Sequence, residues 1–574
     1  MRKDYFMKNL LAASMLLAVS MGMSSCTGLV DAVLGTSDTP TTQPTTQPTT
    51  SSAVVTADQT TITISSLEDM ANAVSAEQNE QFLNAIKAKA AAGEEYTINI
   101  KSEQPLSTNS FEGLVIPRVE GSNINIVFDK PLVTTEASPL KITADEKKSA
   151  IPTTAVDELT ITLPDGSDNV CLSVDMPETT VTLAGNITYK YVEAITATNT
   201  LVVGNGVTIK EYKISDASLQ YKIGGGIAVV KTGGAIETLV YPAGIFWMGI
   251  TSKGLLYADT PDLAFHIIIV KDEKGDPYFI PNLKIVKGDA DYVGLYHDCL
   301  PIDCDGDPWL NKLTIGDGAV VRNMNYTVVP YEEIIGEGNA TFLYGYNMKE
   351  LGFNDNEMKD LSFFGVESIS NVTFKPKYAE GTALSNIPSN TEGCKFIADN
   401  IWMFADNYNS TLYTAKNNVY EYQEPCWVVI PGQSDVITSF KYDFQGCTFS
   451  DNNKLYVDMN TGKPAFNDDG SPVMCWVYSH PNGTTQVLTY DEIPEEYREN
   501  AWQSQYIEPI TFDNYKGTIV FNNCKYGSAS ITKDTNFLMR GYGLHESVID
   551  LKFIIDGTTY GYTYDEQQNL SIIP

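Results

Sequence analysis

A four-residue motif recurs in the C-terminal half of the chain, and its spacing limits the folds that the chain can adopt. Each copy has Asn or Gly, then Val or Cys, then Thr or Lys, then an aromatic residue, and the copies at 371–374 and 393–396 lie 22 residues apart. The motif returns at 446–449 and 523–526. A period of this length suits one coil of a β-solenoid, in which equivalent positions of successive coils stack on one another. The repeat therefore predicts stacked coils.

Stacking of these copies predicts two columns of side chains on one face of the strands. The second position of the motif gives a column that we expect to consist of buried free thiols rather than disulfides: Cys394, Cys447 and Cys524. The fourth position gives an aromatic column: Phe374, Phe396, Phe449 and Tyr526. The later copies are separated by 53 and 77 residues, and these intervals predict loops or hairpins inserted between coils.

A second motif, an apolar residue followed by Gly, a polar residue and Gly, marks turns at 203–206, 315–318 and 335–338. Glycine adopts positive φ without steric cost, so these positions are expected to turn the backbone between two strands. Between the turns, short alternating apolar and polar runs such as 159–163 and 180–183 predict strands. The sequence therefore predicts a mainly β fold, a parallel β-helix. The alternative is a set of β-sandwich domains, because sandwiches also contain many short strands.

The sequence predicts a small N-terminal α/β cap over residues 55–150. The β-helix body is predicted to span 151–574, with inserted hairpins around 453–510. A hydroxyl residue followed three positions later by an acid or amide, as at 75–78, is typical of a helix start. Apolar residues then recur at helical spacing, and Gly93 is the expected stop.

The pattern of the first 54 residues predicts an export signal followed by a tether. Residues 1–25 have a basic start, a short apolar run and small residues before Cys26, which is the pattern of an export signal, since a membrane span needs about 20 apolar residues. Cys26 is expected to be acylated; the alternative is an ordinary secretory signal with an incidental thiol. Residues 26–54 form the predicted stalk, because their Thr/Pro/Gln-rich part has no apolar residue to bury.

The signal, Cys26 and the stalk resemble those of a Bacteroidetes cell-envelope lipoprotein. The repeats resemble right-handed parallel β-helix proteins of the pectin-lyase-like superfamily, over about 156–526, without matching a characterised enzyme family. The resemblance implies a right-handed β-helix that is lipid-anchored in the outer membrane. It leaves open whether the protein faces the cell surface or the periplasm.

The formal net charge of −34 limits the partners of the chain. Such a field repels polyanions, and nucleic-acid binding depends on Lys and Arg that neutralise phosphates, so nucleic acid is not an expected partner. Arginine is scarce, and after the signal it occurs at four positions: Arg118, Arg322, Arg498 and Arg540. Strongly anionic glycans are disfavoured unless a cation such as Ca²⁺ mediates the contact.

One candidate calcium site stands out, and no other cofactor is expected. Asp303, Asp305 and Asp307 alternate in a turn that contains Gly, where their carboxylates can converge on Ca²⁺, a hard cation that takes oxygen ligands. The alternative is a solvated turn. Cys299 and Cys304 bracket this turn, either as free thiols or as a disulfide.

No catalytic residue is predicted. Resemblance to the pectin-lyase-like enzymes implies paired acidic motifs with a His and an Arg motif, or calcium ligands with a basic residue. The one resembling acidic pair in the C-terminal half is Asp468 and Asp469, which lie in a predicted turn, and the His and Arg motifs are absent from the sequence. A non-enzyme is therefore the favoured interpretation, with a divergent polysaccharide lyase or glycoside hydrolase as the alternative.

Tryptophans in the C-terminal half are the remaining candidates for binding. Trp402, Trp427, Trp476 and Trp502 are predicted to stack on sugar faces if they are exposed, and to fill the core if they are not. With the tether and the repetitive body, they predict non-catalytic binding or adhesion, to glycans or to a surface partner. A purely structural envelope component is a further alternative.

Overall fold

The structure is a computed structural model of the 574-residue chain. The residues that it describes belong to one compact unit, Ser52–Pro574. They are 54–55, 61–64, 78–101, 105–107, 114–116, 119–144, 157–195, 200–214, 228–242, 247–250, 256–260, 265–268, 270–288, 293–297, 310–323, 331–344, 346–347, 357–363, 365–377, 382–404, 412–422, 426–429, 440–450, 457–458, 463–464, 475–479, 485–488, 495, 502–504, 510–513, 517–535, 537–540, 551–564 and 569–574.

A single helix, Gln78–Ala92, is present among these residues, and it confirms the predicted helix. Among the helix side chains that are described, 84–92, Ala85 and Ile86 are buried. Gly93 ends it at φ +67°, with its N–H donating to Ala90 O at 3.1 Å, while Glu94 N–H donates to Lys89 O at 2.9 Å. This pair of bonds is a Schellman motif, which needs the left-handed conformation that glycine adopts readily.

One sheet of nine strands occupies the N-terminal half of the described chain. Its strands, in spatial order, are Val54–Val55, Thr61–Ile64, Tyr96–Ile100, Asn123–Phe128, Asp157–Thr162, Thr179–Ala184, Thr200–Val203, Ala228–Val230 and Val270–Asp272. The first pair is antiparallel and every later pair is parallel. Strands that precede and follow residues 145–156 belong to this one sheet, since Asn123–Phe128 pairs with Asp157–Thr162.

A second, longer ladder of parallel strands runs from residue 114 to residue 555. It comprises Leu114–Ile116, Leu140–Ala144, Val170–Asp175, Thr188–Ala194, Thr208–Ile214, Ala235–Pro242, Asn282–Val286, Leu310–Ile315, Tyr331–Tyr344, Ser368–Pro376, Asn390–Glu392, Lys395–Ile397, Leu412–Lys416, Val419–Glu421, Phe440–Gln445, Thr448–Phe449, Gly517–Asn522, Lys525–Tyr526 and Leu551–Ile555. Trp247–Ile250, Val293–His297 and Val320–Asn323 join it in parallel, and Leu256–Thr260 and Phe265–Ile268 join it antiparallel.

A third parallel ladder lies in the C-terminal half. It comprises Asp360–Ser362, Ala383–Ser385, Asn400–Phe404, Cys426–Val429, Ile510–Asp513 and Phe537–Arg540. The last strands, Thr558–Tyr564 and Asn569–Ile573, run antiparallel against the ends of the second and third ladders. Such an antiparallel hairpin covers hydrogen-bonding groups that would otherwise form open sheet edges.

The remaining strands form small local sheets. They are Leu106–Ser107 with Leu132–Val133, Tyr346–Asn347 with Glu357–Met358, Val457–Asp458 with Lys463–Pro464, Cys475–Ser479 with Thr485–Leu488 and Trp502–Ser504, and Ala529–Ser530 with Lys525–Tyr526. The chain is thus mainly β, with long and mostly parallel sheets. This pairing is not that of a β-sandwich, which is built from antiparallel sheets.

The register of the second ladder produces one unbroken buried column. Each member is at most 6% exposed, and each pairs with the next across neighbouring strands: Leu140, Leu172, Val192, Tyr212, Leu239, Leu283, Leu313, Ile334, Ile369, Thr391, Ala415, Phe444, Phe521 and Ile555. Alternate residues of these strands face the other way, so the column is the core side of the ladder.

The predicted aromatic column is present, with additional members. Phe374 pairs with Phe396 and their rings stack at 5.4 Å, and Tyr420 lies between Phe396 and Phe449, at 5.5 and 5.1 Å. Phe449 pairs in turn with Tyr526. The 53-residue interval therefore contains a further coil with its own motif at 417–420. The segments of this interval in which inserted loops are predicted, 405–411 and 430–439, lie outside the described residues.

The first position of the motif adopts the left-handed conformation in all five of the described copies, 371–374, 393–396, 417–420, 446–449 and 523–526. Asn371, Gly393, Asn417, Gly446 and Asn523 have φ between 51° and 65°. Asn and Gly are the residues that tolerate this conformation best, which explains why only they occupy the position.

The thiols of the second position are buried and free, as predicted, but they do more than fill space. Cys447 Sγ donates to Ala415 O at 3.3 Å, and Cys524 Sγ donates to Phe444 O at 3.3 Å, each in the preceding coil. Asn418 occupies the same position in the coil that the sequence did not reveal, and its Nδ2 donates to Thr391 O at 3.4 Å. The column is therefore a row of donors to backbone carbonyls of the preceding coil.

Candidate functional site

Several predicted site residues lie outside the described residues. They are the acylation site Cys26 with the signal and the stalk, the calcium ligands Asp303, Asp305 and Asp307, the thiols Cys299 and Cys304, and the acidic pair Asp468 and Asp469. These assignments stay predictions. The four candidate tryptophans, in contrast, all lie in described strands.

Two of the tryptophans occupy paired positions in the third ladder. Trp402 in Asn400–Phe404 pairs with Trp427 in the parallel strand Cys426–Val429. Ile401 and Met403 on either side of Trp402 are fully buried. Because successive positions of a strand belong to opposite faces, Trp402 and Trp427 belong to the face opposite the core. Adjacent strands are ~4.8 Å apart, so the two positions form one row across neighbouring coils.

Small hydroxyl residues continue this row in both directions. Ser362 pairs with Ser385 in the coils before Trp402, and Thr511 pairs with Trp427 in the next coil. We call Ser362, Ser385, Trp402, Trp427 and Thr511 the tryptophan row. Asn386 Nδ2 donates to Ser362 Oγ at 2.7 Å, which holds one end of the row in place.

The other two tryptophans lie in the antiparallel insertion that precedes Thr511 in the chain. Trp502 pairs with Val477, and Trp476 pairs with Gln503, so the two tryptophans occupy adjacent strands. Ser504 ends this sheet and Ile510 begins the strand of the third ladder. The connection cannot span more than ~22 Å at the maximum reach of an extended chain, so the insertion is tethered close to the tryptophan row.

A buried polar pair fixes the start of the strand that carries Trp402. Asp399 Oδ2 accepts a hydrogen bond from Thr382 N–H at 3.1 Å, and Asp399 N–H donates to Thr382 Oγ1 at 3.1 Å. Both residues are at most 8% exposed. Asn400 N–H also donates to Thr382 O at 2.9 Å. Asp399 is a residue that the sequence analysis missed, since an isolated Asp before a strand gives no signal of this role.

Asp360, an exposed residue of the strand Asp360–Ser362, is a described carboxyl group with a raised pKa. Desolvation by burial raises its pKa, while a backbone hydrogen bond from Ala383 and the charge of Lys359 lower it. Asp360 and Asp399 both act electrostatically on the hydroxyl of Tyr344. Glycoside hydrolysis ordinarily uses two carboxyl groups, both free to act on the substrate. Asp399 is committed to Thr382, so its role in this geometry is structural.

Outward ion pairs link coils elsewhere on the second ladder. Lys284 Nζ lies 2.8 Å from Glu337, Lys312 Nζ 3.0 Å from Glu333, and Lys395 Nζ 2.7 Å from Glu421. Each pair is partly exposed and is worth at most about 1 kcal/mol. These lysines are therefore occupied in balancing part of the acidic surface.

Within the described part of the chain, no group of three or more His, Cys, Asp or Glu side chains is arranged to hold a metal ion. The described helix is too short and too polar to cross a membrane. Comparison with known proteins finds no matching family model, no matching curated protein and no matching solved structure.

Proposed function

We propose that the body of this protein is a right-handed parallel β-helix that binds neutral glycans along the tryptophan row without altering them chemically. The observation that supports the proposal is the pairing of Trp402 with Trp427 on the face opposite the core. Indole rings offer a large flat apolar surface with a polar N–H, which suits the apolar face and hydroxyl rim of a sugar ring. Ser385 and Thr511 are hydroxyl-bearing residues at positions that continue the row.

The direction of the row favours a linear glycan. Equivalent positions in consecutive coils repeat every ~4.8 Å along the ladder, so two tryptophans can stack on successive rings of one chain. The net charge of −34 repels anionic polysaccharides, and this selects neutral ones.

The proposal also includes the location of the protein and the way it is anchored. An acylated Cys26 would hold the protein in the outer membrane of a Bacteroidetes-type envelope, and the stalk would hold the body away from the lipid. A long binding face on a flexible tether suits capture of a polymer at the cell surface.

Replacement of both tryptophans is expected to weaken glycan binding by at least about tenfold, because aromatic anchors at the centre of a contact carry most of its energy. The measurement is the retardation of the full chain in native gels that contain a neutral polysaccharide, for the wild type and the double variant Trp402→Ala/Trp427→Ala. Trp247→Ala is the matched control, since Trp247 lies in another strand, Trp247–Ile250, and should leave retardation unchanged. Equal retardation of the wild type and the double variant would contradict the proposal.

A further inference from the structure

Two of the buried thiols lie side by side in consecutive coils. Gln445 pairs with Asn522 and Thr448 pairs with Lys525, so Cys447 and Cys524 occupy equivalent positions between these pairs. The backbone is fixed on both sides, because Gly446 N–H donates to Asn522 O at 2.8 Å and Lys525 N–H donates to Cys447 O at 2.9 Å.

This spacing is the one that a disulfide needs. Neighbouring strands lie ~4.8 Å apart, and disulfides join residues whose Cα atoms are roughly 4.4–6.8 Å apart. Cys394 has no such neighbour among the described positions of its column, since Asn418 separates it from Cys447 and Val372 precedes it. A hydrogen-bonding interaction between the two thiols also raises the pKa of Cys447 and lowers that of Cys524.

Cys447 and Cys524 lie on either side of a large insertion, so a bond between them would close that insertion. Between the two cysteines the chain leaves the ladder and forms the antiparallel sheet that contains Trp476 and Trp502. A bond between Cys447 and Cys524 would join the coil before this excursion to the coil after it.

We propose that Cys447 and Cys524 form a disulfide that closes the base of the insertion when the chain folds in the presence of a protein disulfide oxidant. The Cys524 thiolate attacks one sulfur of the oxidant's disulfide and releases a thiolate. Cys447 then loses its proton and attacks the Cys524 sulfur of the mixed disulfide, which releases the second thiolate. Two electrons and two protons pass from the cysteines to the oxidant, which leaves as a dithiol. This disulfide rests on the proposed export in one respect, because export would bring the chain into a compartment that contains such an oxidant.

The test compares the full chain produced in an oxidising bacterial periplasm with the same chain produced in a reducing cytosol. Both are denatured without reductant, alkylated, digested and examined by mass spectrometry. We expect the periplasmic protein to yield the peptides of Cys447 and Cys524 joined by a disulfide and about 2 Da lighter than the two reduced peptides together. Cys394 should be alkylated in both preparations.

Two variants separate this bond from other crosslinks. Cys394→Ala, the matched control from the same column, should keep the joined peptides, and Cys447→Ala should lose them and leave Cys524 alkylated. Full alkylation of both Cys447 and Cys524 in the periplasmic wild-type protein would overturn the proposal, and so would a bond from either one to a different cysteine. The wild-type comparison decides the matter even if a variant fails to fold, and it is independent of glycan binding.

Discussion

Gly336→Ala is expected to destabilise the protein by roughly 3 kcal/mol or to prevent its folding, because a side chain there has no room. Gly336 is buried at the turn between the two paired segments of Tyr331–Tyr344, which lie in one coil. A Cβ at this position would overlap the carbonyl oxygen of Asn371 in the next coil and would lie 2.8 Å from the side chain of Ala340. Backbone atoms on the neighbouring coil cannot rotate away, so the coils themselves would have to separate.

Gly561→Ala is the matched control for this substitution. Gly561 also lies in a strand, Thr558–Tyr564, but the nearest atom to an added Cβ is Ile573 Cγ1 at 3.6 Å, an ordinary contact. This variant should stay within about 0.5 kcal/mol of the wild type. The measurement is the denaturant midpoint by circular dichroism. Equal midpoints for the two variants would contradict the close stacking of coils at Gly336.

The free energy of unfolding is expected to fall by about 5 kcal/mol between pH 10 and pH 11, because buried tyrosines resist ionisation in the folded state. Desolvation by burial raises the pKa of Tyr96, Tyr189, Tyr212, Tyr331 and Tyr344 well above the usual value of 10. In the unfolded chain these phenols ionise near pH 10. Their contribution to stability is therefore complete below pH 10 and is lost as the pH rises above it.

Tyr212→Phe isolates one of these contributions. Within the described part of the chain the Tyr212 hydroxyl is buried without a hydrogen-bond partner, so at pH 8 the variant should be at least as stable as the wild type. Between pH 10 and pH 11 it should lose about 1 kcal/mol less than the wild type does. Urea unfolding at successive pH values measures both quantities. Stability that is flat from pH 8 to pH 11 would show that the phenols ionise freely in the folded protein.

The stacked columns could be predicted because they depend on side-chain type at a fixed period. Cys394 and Phe396 repeat the chemistry of their neighbours, and the left-handed turn at Gly393 admits few residues. The helix before Gly93 was predictable for a similar reason, since its start, its apolar spacing and its stop are all local signals.

The coil at 417–420 could not be predicted from the repeat, and the reason is physical. Its second position holds Asn418, which differs from Cys in size and polarity but meets the same requirement, a donor to a carbonyl of the preceding coil. The pairing of Trp402 with Trp427 was equally inaccessible. The two tryptophans are 25 residues apart in the sequence. This separation fixes their register only if the ends of the two strands, and so the length of the loop between them, are known.

The most direct measurement for the proposed function records binding and chemistry together. The full chain is incubated with insoluble neutral and anionic polysaccharides, and each sample is assayed for sedimented protein, for new reducing ends and for unsaturated uronides. Non-catalytic binding predicts that the protein sediments with at least one neutral polysaccharide, with none of the anionic ones, and without releasing a soluble product. Release of product from any polysaccharide, or sedimentation with none of them, would contradict it.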